Sequence, residues 1–251
     1  MTGTLWIVGL GPGGPAHRTA AAAAAVRSAE AVVGYGPYVD QCRDLLRPEQ
    51  RVVWGAMGEE GARADEALEL AAAGARVALV SSGDAGVHGM AARTLARAAV
   101  LSEKCRPDVE VIPGVTAALA GAALTGAPLA DDFAVLSLSD HNLAWDQVER
   151  RLAAVAGAGL AIALYNPRSR TRTAQFDRAL EVLREHRPVS TPVALVDDAG
   201  RAGEAVRHST LGALDPERVS MNTLVLVAGE GTPSAGPWLV AERGAAPGVP
   251  T

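Results

Sequence analysis

The chain has 251 residues, 49% hydrophobic but only 4% aromatic, so a core must be assembled from Ala, Val and Leu rather than large rings. Its 23 basic and 28 acidic residues leave a net charge of −5, which argues against general nucleic-acid affinity but not against a local basic pocket. Cys42 and Cys105 are too few for a disulfide framework and match no zinc-ligand spacing, so no metal site is expected.

The length admits one large or two moderate α/β domains. The first residues, MTGTLWIVGLGPGG, carry no basic leader, and the apolar run 20–26 is too short for a secretory or membrane segment. A soluble, cytoplasmic protein without a membrane partner is expected.

Leu5 to Gly9 reads as a strand and runs into the glycine loop GLGPGG at 9–14. Taken literally this is G-x-G-x-x-G, the fingerprint of a dinucleotide-binding turn. Pro12 and Pro15 interrupt it, so a helix cannot start where a pyrophosphate would need its amides. The second strand, 31–33, runs into Gly34 and Tyr35 and offers no acid to a ribose hydroxyl. What survives is a rigid loop beside a sheet. Arg51 to Trp54 forms a short strand, and Glu59 and Glu60 open a helix that runs to about residue 73. Those acids sit at the positive end of the helix dipole, where solvated capping competes with catalysis.

The segment that organises the chain is RVALVSSGDAGVHGM at 76–90. Val77 to Val80 has the apolar, β-branched character of a buried parallel strand. Small residues and Asp84 follow at its carboxyl end, where open α/β sheets bind ligands. The competing reading makes Asp84 the cap of the helix over 90–99. His88 lies just past the loop, where a lone histidine more often packs or caps than transfers protons. With the strand at 109–112, five strands alternate with helices and predict a doubly wound sheet ending near residue 113.

A second round of alternation follows. Strands are expected at 131–138, 160–164, 192–196, 205–209 and 222–228, with helices after residue 114, at 145–156 and at 174–185. Ser139, Asp140 and His141 close the first of these strands. The loop YNPRSRTR at 165–172 places Arg168, Arg170 and Arg172 within five residues after a strand. Guanidinium forks in that position suit a carboxylated ligand, against the alternative of a solvated helix start. From Gly229 the chain turns to glycine, proline and small residues and reads as a loose tail. The domains expected are 1–113 and 114–230, with 231–251 as tail.

Taken together, VGLGPGGP at 8–15, LVSSGDAGVHGM at 79–90, VIPGVTAALAGAALTGAPLADDFAVLSLSD at 111–140 and ALYNPRSRTR at 163–172 resemble the tetrapyrrole methylase family over about 5–228. The SLSD strand end combined with the YNPRS loop points to the ring-contracting branch of cobalamin synthesis. Three departures stand out. Ala85 and His88 replace the family's usual proline and tyrosine, Gly55-Ala56-Met57 replaces serine-glycine-methionine, and Gly229-Glu230 falls where an asparagine is common.

The resemblance implies two α/β domains with a ligand cleft between them, a homodimer, S-adenosylmethionine as cofactor and a polycarboxylated tetrapyrrole (precorrin) as substrate. By position it assigns cofactor contacts to Pro12, Gly83, Asp84, Val87, Thr116 and Ala117. Asn166 and main-chain groups near Ala194 and Ala199 would close over the adenine. Arg168, Arg170 and Arg172 would form part of the substrate clamp. Ring contraction needs proton transfer, for which Asp84, Glu59, His88 and Asp140 are the candidates. Two alternatives stay open: a sister methylase acting at another corrin carbon or on uroporphyrinogen, and a dinucleotide-dependent oxidoreductase built on the literal glycine fingerprint.

Overall fold

A computed structural model describes residues 2–242 and divides the chain into two compact units, one ending at Ala117 and one starting at Ala118. The first unit contains β1 (Thr4–Gly9), α1 (Ala20–Ser28), β2 (Ala31–Tyr35), α2 (Gly36–Gln41), β3 (Arg51–Gly55), α3 (Glu60–Ala72), β4 (Arg76–Ser81), α4 (Ala91–Ala99) and β5 (Asp108–Ile112). Its five strands are all parallel, in the order β3-β2-β4-β1-β5.

Period-two alternation sends the two sides of each strand into different cores. Leu5, Ile7, Val33, Val77 and Leu79 pack against α3 and α4. Val8, Val32, Ala78 and Val80 pack with residues of α1 and α2. Covered on both faces, β1, β2 and β4 are almost wholly buried, while the edge strands β3 and β5 are not. This is the doubly wound sheet expected from the sequence. The short α2, which periodicity did not reveal, starts at a proline in its first turn.

The boundary falls after the first residue of α5 (Ala117–Thr125), and the second unit continues with β6 (Gly126–Ala127), β7 (Phe133–Ser137), α6 (Trp145–Gly157), β8 (Ala161–Tyr165), α7 (Ala174–His186), β9 (Pro192–Asp197), β10 (Ala205–Thr210), β11 (Thr223–Val227), β12 (Ser234–Ala235) and β13 (Trp238–Val240). Its main sheet has the order β10-β9-β11-β8-β7, with β11 antiparallel to both neighbours and β10 antiparallel to β9. So β7, β8 and β9 run one way, and β10 and β11 return. Residues 198–204, which join β9 to β10, contain no helix to make a parallel crossover, so that strand reverses. One face buries Ile162, Leu164, Val193, Leu195, Val225 and Val227 beneath α6 and α7. The other buries Ala163, Ala194, Val196, Leu224 and Leu226 with Ala118 of α5. Gly121 permits that helix contact, since a Cβ there would lie 2.4 Å from Leu224 Cδ2.

Part of the segment expected as a loose tail is paired instead. β12, β13 and β6 form a small sheet, and Leu239, 1% exposed, joins the second core. Backbone pairing on both sides and the buried Leu239 and Ala241 dock this strand. The rest of the expected tail, 243–251, lies outside the described residues.

Candidate cofactor and substrate loops

At the carboxyl edge of the first sheet, three adjacent strand tips meet through glycines. Gly11 N–H donates to Gly83 O at 3.0 Å, and Gly83 N–H donates to Gly11 O at 2.7 Å. The two glycine-bearing loops are therefore tied amide to amide. A Cβ on Gly114 would lie 2.2 Å from Gly83 O, and one on Gly9 would lie 2.7 Å from Gly114 N. No side chain fits at either position. Gly83 differs: its φ is +66°, but a Cβ there would meet nothing nearer than Thr116 Cα at 3.8 Å and Ala117 N at 3.9 Å.

Asp84 fastens this junction. Oδ2 accepts from Gly114 N–H at 2.9 Å, while Oδ1 accepts from Gly86 at 2.7 Å and Val87 at 3.1 Å. It caps its own loop rather than α4. Oδ1 is occupied by two amides, while Oδ2 accepts one and keeps a lone pair open to a proton. Pro12 is buried and Val87 half-buried, both in the loops the junction holds.

The amides a pyrophosphate would need are not presented. Pro15 opens a single 3-10 turn at 15–17, and α1 begins only at Ala20, capped by Thr19 Oγ1 on the Ala22 amide at 3.1 Å. Behind the first loop stands a brace that sequence reading missed. Gln41 Nε2 donates to Gly11 O at 2.8 Å, Arg18 Nη2 donates to Gln41 O at 2.6 Å, and Arg18 Nη1 pairs with Asp44 at 2.9 Å. The Arg18 hydrogen bond holds the Asp44 carboxyl below its ordinary range. Nothing in the sequence marks Arg18 or Gln41, because isolated polar residues of this kind abound on surfaces.

Glu59 stands at the N-cap position of α3 but its side chain makes no cap hydrogen bond there. It is exposed, and Oε2 accepts from Ala56 N–H at 2.9 Å. His88 has φ +53° and is exposed at its surface, yet partial desolvation of the ring lowers its pKa from the ordinary histidine value. Asn166 and Asp198 also take left-handed φ, at 51° and 45°. These are the only such non-glycine residues among those described, and all three lie in loops that follow strands, where backbone strain tends to accompany function.

In the second unit, the tips of β7, β8 and β9 share one sheet edge. Asn166 Nδ2 donates to Ser137 Oγ at 3.0 Å, joining two of these tips. Tyr165 Oη accepts from Ala118 N–H at 2.7 Å and so caps the first turn of α5. Thr116 is buried and Ala117 half-buried just before that turn. Ala199 sits half-buried in the loop between Asp198 and Gly200. Ala194 lies in mid-strand with β10 and β11 on either side and no exposed surface, so its main chain is committed to the sheet.

The three arginines separate. Arg172 donates to Leu138 O at 2.7 Å and to Asn166 O at 2.5 Å, with Asp140 3.9 Å away. Desolvation lowers its pKa, as expected of a half-buried guanidinium holding two carbonyls. Arg168 pairs with Glu217 and lies 4.0 Å from Asp177. Arg172 is thus engaged by backbone carbonyls, whereas Arg168 keeps a buried Nη1 without a hydrogen-bond partner. Arg170 is exposed and has no partner among the described residues. Asp140 accepts from Gln175 Nε2 at 2.8 Å.

An open cavity of about 360 Å³ occurs elsewhere on this unit, at the opposite strand edge, lined by His186, Arg187, Thr191, Glu230 and Thr232. Arg187 there holds Ala156 O at 2.7 Å and Leu160 O at 2.8 Å, so it serves a helix terminus. Among the described residues no helix is long and apolar enough to cross a membrane, and no cluster of three His, Cys, Asp or Glu could hold a metal.

Comparison with known proteins agrees with this arrangement. The family of tetrapyrrole (corrin/porphyrin) methylases matches residues 4–215. The probable cobalt-factor III C(17)-methyltransferase of Salmonella typhimurium is 41% identical over 240 residues, 96% of this chain and 98% of that protein. A precorrin-3B C(17)-methyltransferase from Sinorhizobium sp. is 44% identical over 228 residues, covering 90% and 89%. The crystal structure of the methyltransferase CobJ superimposes with a TM-score of 0.91 at 37% identity, over 96% of this chain and 100% of that one. A uroporphyrin-III C-methyltransferase from Thermus thermophilus, crystallised with S-adenosylhomocysteine, shares the fold at 24% identity and TM-score 0.69, over 90% and 92%.

Proposed function

The chain belongs to the tetrapyrrole (corrin/porphyrin) methylase family, and from that premise we propose that it is an S-adenosylmethionine-dependent methyltransferase of cobalamin biosynthesis. Its reaction is methylation at carbon 17 of precorrin-3B, or of the cobalt-bearing cobalt-factor III, with contraction of the ring. The observation that carries this reading is near full-length identity of 41% and 44% to two proteins named for that carbon. The protein is taken to be a cytoplasmic homodimer whose substrate is the tetrapyrrole, without nucleic acid or membrane partners.

The residues present fit the cofactor. Gly9 and Gly114 let the strand tips close on one another, and the missing Cβ of Gly83 leaves room beside Thr116 and Ala117. When bound, S-adenosylmethionine supplies a methyl group activated by its sulfonium. The protein's task is then to orient and to exclude water, which needs no nucleophile of its own. Gly83, Asp84 and Val87 hold the loop that would carry the methionine and ribose portions. Asn166 is fixed by Ser137 and by Arg172 on its carbonyl, ready for the adenine.

The candidates for proton transfer remain Asp84, Glu59, His88 and Asp140: the three carboxylates each accept hydrogen bonds, and desolvation lowers the pKa of the His88 ring. Arg170, exposed and unpaired among the described residues, remains for a substrate carboxylate.

Incubation with S-adenosylmethionine and either precorrin-3B or cobalt-factor III tests the reading by product mass and absorption. A gain of one methyl group with a ring-contracted spectrum is expected from at least one of them. Methylation without contraction would favour a sister methylase, and no methylation of either would overturn the proposal.

A further inference from the structure

β3 is an edge strand, and its tip lies at the carboxyl edge of the same parallel sheet that carries the glycine junction. Trp54 at that tip is 52% exposed, and Met57 in the following loop is 66% exposed. In a chain so poor in aromatic residues, large apolar side chains left in water at a ligand-binding edge call for a partner. The loop beneath them is not loose. Ala56 N–H is held by Glu59, Gly58 N–H donates to Glu60 at 3.2 Å, and Glu60 pairs with Arg63 at 3.3 Å. Arg63 donates to Ala56 O and lies 6.0 Å over the Tyr35 ring, itself edge-on to Tyr38. Gly55 permits this, since a Cβ there would lie 2.5 Å from Arg63 Cδ. Both loop acids hold backbone amides, which leaves the apolar side chains as the surface on offer.

We propose that Trp54 and Met57 form a shelf for the body of the tetrapyrrole ring, an inference that rests on the methyltransferase reading above. The strand order places β3 two strands from β4 and three from β1, about 10 and 14 Å at the usual spacing. Four linked pyrroles span that separation, so a ring presented at the glycine junction reaches the β3 tip. An indole face and a thioether stack on pyrrole rings rather than on their carboxylates. The shelf therefore selects for the macrocycle and leaves the rim acids to other groups.

The test uses full-length Trp54→Ala, Met57→Ala and double variants, turning over cobalt-factor III or precorrin-3B, whichever the wild type accepts. In the double variant KM for the tetrapyrrole should rise about tenfold, with kcat changed less than about threefold. S-adenosylhomocysteine affinity, measured by calorimetry, should stay at the wild-type value, and Trp54→Phe should recover most of the lost KM. Unchanged KM in the double variant, with the wild type active, overturns the shelf and leaves the methyltransferase reading standing. Unchanged KM together with a shift from dimer to monomer on sedimentation also overturns it, assigning the surface to a second copy of the chain. A wild type inactive on both tetrapyrroles overturns the methyltransferase reading and the shelf that depends on it.

Discussion

Asp84 shows how a motif residue can matter without touching a proton. Its oxygens collect three backbone amides, from Gly86, Val87 and Gly114. Asn at this position would turn an NH2 group toward at least one N–H donor. Leaving such a polar group unsatisfied costs about 1–3 kcal/mol. Asp84→Asn should therefore weaken S-adenosylhomocysteine binding in parallel with turnover. Lost turnover with unchanged affinity would instead favour Asp84 among the acid–base candidates. His88 offers a second check at this scale. Its folded pKa lies below the unfolded value of about 6.5, so the folded state resists protonation. The associated stability is fully present above pH 6.5 and is lost as the pH falls through 6.5 toward the folded pKa. On acidification the wild type should thus lose stability relative to His88→Gln, as read by urea unfolding at pH 7.5 and 5.5. A difference that does not change with pH would show that the ring does not titrate differently in the two states.

Strand tips decide whether the glycine junction can exist at all. Gly114→Ala would place a methyl 2.2 Å from Gly83 O, so the tips must separate, at about 1–3 kcal/mol for overpacking. Gly58→Ala is the control: its φ is +85°, but nothing lies within 4 Å of the added carbon. Calorimetry should find cofactor affinity lost in the first variant and kept in the second. Equal affinity in both would detach the junction from the cofactor. These elements were largely legible in the sequence, because fully buried parallel strands such as VALV at 77–80 read as unbroken apolar runs and their tips as small residues. The return of β10 and β11 was not, since alternation reveals a strand but not its direction. Nor could spacing distinguish Arg170 from Arg172, because a guanidinium that grips a carboxylated ligand and one that grips two carbonyls look alike in sequence.

At the scale of the molecule, each unit has its own sheet, and the hydrophobic clusters of the first contain no residue of the second. Two such units need not unfold together, and denaturant melts of the free protein should depart from a single two-state transition. The cofactor contacts assigned by resemblance fall in both: Pro12, Gly83, Asp84, Val87, Thr116 and Ala117 in one, Asn166, Ala194 and Ala199 in the other. A ligand that binds only the native form stabilises whatever it holds, by about 2.7 kcal/mol at a hundred times its Kd. Saturating S-adenosylhomocysteine should raise the transition of each unit whose residues contact it. A tryptophan from each unit makes this observable: Trp54 reports on the first and Trp145 on the second, each followed with the other three tryptophans replaced by phenylalanine. Should only the Trp54 signal move, the contacts at Asn166 and the 198–200 loop would be withdrawn. The cofactor would then be held by the glycine junction alone.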